Sequence, residues 1–174
     1  ALQEETEVGS RILTRVACGF DGVLHFYKDA PSFLREDMSQ AFMEHAQWPA
    51  ALSKPYFVEG SEALASLFPG EIYPQGITIS TPGYYAPQVR KIRLDPFRPS
   101  LIGKISSFRH GQLKIENFEM ESSALYGLSA LLGHEALCIC VAVANRVKPR
   151  FAEDYKEAVE AMIVDVLDRL ISDD

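Results

Sequence analysis

Apolar positions change their period several times along the chain, and each change marks an element. Arg11 to Gly19 (RILTRVACG) is dense in apolar and β-branched residues and runs into the turn signal Gly19-Phe20-Asp21-Gly22, which predicts a strand. Ser32 to Ala46 has helical composition, with Ser32 placed to cap it and Phe33, Met38, Phe42 and Met43 as its apolar positions. A connection with two prolines covers Gln47 to Tyr56, followed by a short helix from Ser61 to Phe68, capped by Ser61 and stopped by Pro69-Gly70. Gly76 to Thr81 (GITIST) reads as a short strand ended by Pro82-Gly83, and an irregular segment continues to about Pro99.

The second half is more regular. Lys114 to Phe118 predicts a strand leading into a helix from Glu121 to Leu132, with Leu125, Leu128 and Leu132 on one face and Gly133 placed to end it. Ala136 to Ala144 (ALCICVAVA) is continuously apolar, as a strand buried on both faces would be. After Pro149, Tyr155, Val159, Met162, Val166 and Leu170 recur at three- and four-residue steps, predicting a helix from Asp154 to Ile171. Strands alternating with helices predict a layered α/β fold in one domain covering residues 1–174.

Composition narrows the partners. A net charge of -7 argues against nucleic acid or an anionic membrane surface, since both require a basic face, and a small-molecule ligand fits better. No apolar stretch approaches bilayer length and no basic-then-apolar segment opens the chain, so a cytoplasmic protein is expected. Cys138 and Cys140 lie two apart and face the same way if the strand is extended, as core thiols do. His25, His45, His110 and His134 are scattered, so no metal site is expected.

Three segments could carry chemistry. In Asn117 to Ser122 (NFEMES), Glu119 and Glu121 flank Met120 where a strand gives way to a helix, a place where α/β sheets bind ligands. The competing reading is that Glu121 only stabilises the helix N-terminus. In Tyr84-Tyr85-Ala86-Pro87-Gln88-Val89-Arg90, aromatic rings could stack on a planar base. The Gln88 amide and Arg90 guanidinium could then bond its edge, as an oxopyrimidine needs. The competing reading is a surface loop with solvated charges at Arg90, Lys91 and Arg93. Asn145-Arg146, directly after the apolar run, either sets a cation facing a ligand or marks the strand's exit from the core.

Taken in order, GITISTPGYYAPQVR, NFEMESSALYGLSALLGHEA and CVAVANR resemble the uridine phosphorylase-like branch of the nucleoside phosphorylase superfamily, and the resemblance extends over almost the whole chain. It implies a three-layer α/β/α fold around a central mixed sheet. By this resemblance the chain is the C-terminal part of the domain, with the sheet incomplete at the N-terminus and the phosphate-binding part lying before the position of Ala1. Gln88 and Arg90 match the pair that holds the uracil edge, and Tyr84 matches an aromatic beside the base. Met120 and Glu121 match residues that contact the ribose, Glu119 lines the same wall, and Arg146 matches an arginine supporting the base-binding pair. Pro87 stands where pyrimidine enzymes usually have glycine, and Gly83-Tyr84 replaces a more polar pair, which implies a differently shaped base pocket.

The implied reaction is phosphorolysis of a uridine-like nucleoside to free base and ribose 1-phosphate, with Gln88, Arg90 and Glu121 as the catalytic set. Inorganic phosphate is the cosubstrate, and no metal or organic cofactor is implied. A homo-oligomer is expected by resemblance. Two alternatives stand beside this reading. The chain could be a catalytically incomplete fragment or nucleoside-binding subunit that needs an N-terminal partner polypeptide. Alternatively it could act as a purine nucleoside phosphorylase or nucleosidase, although those enzymes carry a Ser-Asp pair where this chain has Asn145-Arg146.

Overall fold

The strand Arg11–Gly19 (β1) is the axis of the molecule. The computed structural model describes residues 1–148, 150–152 and 154–171. On one side β1 pairs in parallel with Gln75–Ser80 (β3), which pairs in parallel with Leu113–Glu119 (β5). A two-residue strand, Arg109–His110 (β4), closes that edge in antiparallel fashion. On the other side, the C-terminal half of β1 pairs with Tyr56–Glu59 (β2) and its N-terminal half with Ile139–Val141 (β6), both antiparallel.

Side chains alternate along β1, so both faces of the sheet are covered. Val16 and Cys18 join Ile77, Ile79 and Ile115 under the helices Glu36–Ala46 (α1) and Leu101–Ser107 (α3). There Phe42 meets Phe108 edge to face at 5.1 Å. Ala17 and Val58 face Tyr126 of Ser122–Leu132 (α4). Leu13, Phe68 and Tyr73 pack with Val166 of the last helix, Tyr155–Ile171 (α5), beside the single-turn Glu62–Ala65 (α2). Helices therefore cover both faces of a mixed sheet, the layered α/β architecture that the alternating pattern predicted. Among the described residues, no helix is long and apolar enough to cross a membrane.

Several elements differ from their sequence reading. The first helix begins at Glu36, because Ala30–Phe33 forms a separate 3-10 turn in which the Ser32 hydroxyl donates to the Asp29 carbonyl instead of capping. Strand β2 and helix α3 fall in stretches too short and too mixed to show a period. The capping role of Ser61 is as predicted, its hydroxyl accepting from the Leu64 N–H at 3.1 Å. In α4 the leucine face is not the buried one: Leu125 is 47% and Leu132 70% exposed, whereas Ser122, Ser123, Tyr126 and Gly127 are buried. A glycine lets this helix approach the 3-10 turn Val23–Phe26 closely. A Cβ on Gly127 would lie 2.1 Å from a methyl of Leu24.

The apolar run Ala136 to Ala144 is likewise not one strand buried on both faces. Only Ile139–Val141 is strand, half-buried throughout, and Ala144–Asn145 (β7) pairs separately with Arg150–Phe151 (β8). Of the predicted apolar face of α5, Val159, Met162 and Val166 are half-buried, whereas Tyr155 and Leu170 at its two ends are exposed. Pro149, the expected boundary before it, lies outside the described residues. Cys138 and Cys140 do share a face, with their sulfurs 4.0 Å apart.

Candidate active site

The cavity lies where the parallel strands β3 and β5 end. It has a volume of about 470 Å³, and every residue singled out in the sequence lines it: Tyr84, Gln88, Arg90, Glu119, Met120, Glu121 and Arg146. Parallel strands that terminate side by side leave their last residues and following loops around one crevice, which is why segments some thirty residues apart converge here.

The loop after β3 forms one wall. Thr81 is pinned there, its N–H donating to the Glu119 carbonyl at 3.0 Å. Residues Ala86–Gln88 make a 3-10 turn, and Val89 then adopts φ 56°, ψ 36°. A β-branched residue in the left-handed region is strained, by about 1–3 kcal/mol. Its effect is to bring Gln88 and Arg90 to the same side: the Arg90 Nε donates to Gln88 Oε1 at 3.3 Å. The Gln88 Nε2 donates to Thr81 Oγ1 at 3.2 Å. The Arg90 guanidinium lies over the Tyr84 ring, 4.4 Å from its centroid, so the ring and the cation form one surface.

Arg146 holds this loop from behind. Its guanidinium donates to the main-chain carbonyls of Gln88, at 2.5 Å, and Val89, at 3.3 Å. It also sits 5.5 Å from the centroid of the Phe118 ring. Burial, and then repulsion from Arg90, lower its pKa to about 10, which leaves it charged at neutral pH. Asn145 fixes the start of this segment by donating to the carbonyls of Gln3 and Thr6 and accepting from the N–H groups of Val147 and Lys148.

The opposite wall is the junction of β5 and α4, where the two carboxylates have different surroundings. Glu119 turns inward, and its oxygens accept from the hydroxyls of Ser80 and Ser122 and from the N–H groups of Glu121 and Ser122. It is therefore Glu119 that satisfies the first turn of α4, the task for which Glu121 competed in the sequence reading. Glu121 is exposed, and its carboxylate accepts from the N–H of Met120 at 3.2 Å. Met120 is exposed beside it. Behind this wall, Ser123 donates to Asp21 at 2.8 Å and Tyr56 donates to the same carboxylate at 2.6 Å, tying the ends of β1 and β2 to the helix. Sequence reasoning missed Thr81, Ser80 and Asp21, since lone hydroxyls and a turn aspartate carry no motif.

Comparison with known proteins gives this arrangement a context. The sequence is 30% identical over 159 residues to a uridine phosphorylase of Thermococcus kodakarensis, covering 88% of this chain and 48% of that protein. Over most of its length the chain is similar in sequence to that uridine phosphorylase. Its fold agrees: a nucleoside phosphorylase of Trypanosoma brucei, described as showing uridine phosphorylase activity, superposes with a TM-score of 0.82 at 21% identity, over 99% of this chain and 61% of that one. A structure from the uridine phosphorylases of the oomycete Phytophthora capsici superposes with a TM-score of 0.54 at 17% identity, over 94% and 59% of the two chains. The chain thus spans about half the length of the curated relative it matches. No protein-family model matches it.

The fold shared with that nucleoside phosphorylase structure has its cavity at the strand ends in this chain. Among the described residues, no group of three or more His, Cys, Asp or Glu side chains is arranged to hold a metal ion.

Proposed function

We propose that the cavity is the nucleoside-binding half of a phosphorolysis site and that the protein cleaves a uridine-like nucleoside. One observation carries this reading: Gln88 and Arg90 present hydrogen-bonding groups to the same cavity that the exposed carboxylate of Glu121 lines. The free N–H of the Gln88 amide, its carbonyl oxygen and the terminal N–H groups of Arg90 form a donor, acceptor, donor series. The imide edge of uracil offers acceptor, donor, acceptor. Tyr84 flanks the base, and Glu121 accepts from the 2′- and 3′-hydroxyls of the ribose, with Met120 against the sugar.

In this reaction an oxygen of inorganic phosphate forms a bond to C1′ while the bond from C1′ to the base nitrogen breaks, and the bonding pair leaves with the base. Negative charge therefore grows on uracil, where Gln88 and Arg90 stabilise it as it develops. Glu121 holds the sugar so that C1′ lies in line for attack. Glu119 and Arg146 act one step back, the first by fixing the helix start and the second by fixing the base loop. Phosphate is the cosubstrate, and the chemistry asks for no organic cofactor.

The cations among the described residues that line the cavity are Arg90 and Arg146, both turned toward the base loop. In this reading phosphate is held by groups other than these two arginines. This favours a second reading, in which these residues alone bind nucleoside without turning it over. Calorimetry with uridine, followed by assay with and without phosphate, separates the readings. Uridine binding with phosphate-dependent release of uracil supports the first, and binding without turnover supports the second. Phosphate-independent cleavage of inosine, or no uridine binding at all, overturns both.

A further inference from the structure

We infer that Thr81 sets the base selectivity of this site by fixing the orientation of the Gln88 amide, an inference that rests on the proposed nucleoside reading. Thr81 is only 1% exposed and Gln88 only 3%, so the protein groups packed around the amide decide which way it is turned. The Thr81 hydroxyl lies 3.1 Å from the carbonyl oxygen of Gly83 and 3.3 Å from that of Glu119, and both groups can only accept. Its proton is committed to one of them, which leaves the oxygen as acceptor for Gln88 Nε2 at 3.2 Å. At the other end of the amide, the Arg90 Nε can only donate, so it takes Oε1.

Both ends of the Gln88 side chain are thereby determined before any ligand arrives. The NH2 group faces Thr81, the carbonyl faces Arg90, and each retains one free valence toward the cavity. A flipped amide would set two donors against each other at Arg90 and draw the Thr81 proton away from the main-chain carbonyls. The retained order complements the O2, N3–H, O4 edge of uracil. Cytosine, with an unprotonated N3 and an exocyclic amine, meets an acceptor and a donor of the same kind at those two places. Thr81 touches no part of the reacting bond, so it is a positioning residue. It makes a preference for uridine a property of the empty site.

The test is the ratio of uridine to cytidine affinity, measured by calorimetry on the wild type, on Thr81→Val, which keeps the shape and removes the hydroxyl, and on Thr81→Ser, which keeps the hydroxyl. We expect Thr81→Val to lower that ratio about tenfold, as loss of one buried hydrogen bond does, and Thr81→Ser to stay within about twofold of the wild type. Because a valine in this position could impair folding, the wild type is also examined by NMR. The Gln88 side-chain amide protons should be in slow exchange and show contacts to the Thr81 methyl group. A folded Thr81→Val protein that keeps the wild-type ratio overturns the inference, as does a Gln88 amide without those contacts. Wild type that binds both nucleosides equally overturns this inference and leaves nucleoside binding standing. Wild type that binds neither removes the nucleoside reading itself.

Discussion

Arg146 reaches the main-chain carbonyl of Gln88 at 2.5 Å, although 58 residues separate them, and so ties the segment after β6 to the back of the base loop. The same guanidinium holds the carbonyl of Val89, whose left-handed backbone is strained. The strained residue thus lies between the two residues proposed to hold the base.

Replacing Arg146 by methionine should release that loop. We expect about 2 kcal/mol of lost uridine binding, roughly thirtyfold in affinity by calorimetry. Glycine adopts the left-handed conformation without strain, so Val89→Gly in the same background should recover part of the loss. No recovery would show that the clamp acts on something other than the shape of the loop.

The two carboxylates of the NFEMES motif should separate cleanly. Glu119→Leu leaves the N–H groups of Glu121 and Ser122 without their acceptor and should cost about 2–3 kcal/mol in urea unfolding. Glu121→Gln should change stability by no more than about 0.5 kcal/mol, since its side chain is exposed. It should nevertheless weaken uridine binding and weaken 2′-deoxyuridine binding less. Equal loss for both nucleosides would remove Glu121 from the sugar.

Gly19 is the last residue of β1, and a Cβ there would lie 2.1 Å from Cζ of Tyr56. The ring cannot move aside without breaking its hydroxyl's bonds to Asp21 and Ser123. Gly19→Ala should therefore destabilise the protein by about 3 kcal/mol in chemical denaturation. Tyr56→Phe in the same background should relieve part of that cost, because it removes one obstructing atom and the bonds that hold the ring in place.

Acid should weaken the contact between α1 and the edge strand. The Arg35 guanidinium, bonded to both Asp37 and Glu59, lowers the Asp37 pKa from 3.8 to about 2. A depressed carboxylate pKa contributes stability that is fully present above pH 3.8 and is lost as pH falls through about 2. NMR titration should find Asp37 near that lower value, and Arg35→Met should return it toward 3.8. An unchanged titration in the variant would assign the shift to another neighbour.

The chain's own pattern determined β1, β3, β5 and the last two helices to within a residue or two, because in each a local period or a turn residue is enough to specify the element. The ordered motifs at Tyr84 to Arg90, at Asn117 to Ser122 and at Arg146 likewise singled out the residues that line the cavity. Only the tertiary structure decided how they divide the work. Which carboxylate caps α4, which face of that helix is buried, and that Ala136 to Ala144 breaks into an edge strand and a separate ribbon all depend on neighbours distant in sequence. A hydrophobic period records that a face prefers burial, but not which partner covers it. A glutamate's role depends on how many donors surround it, and those of Glu119 come from β3 as well as from its own helix.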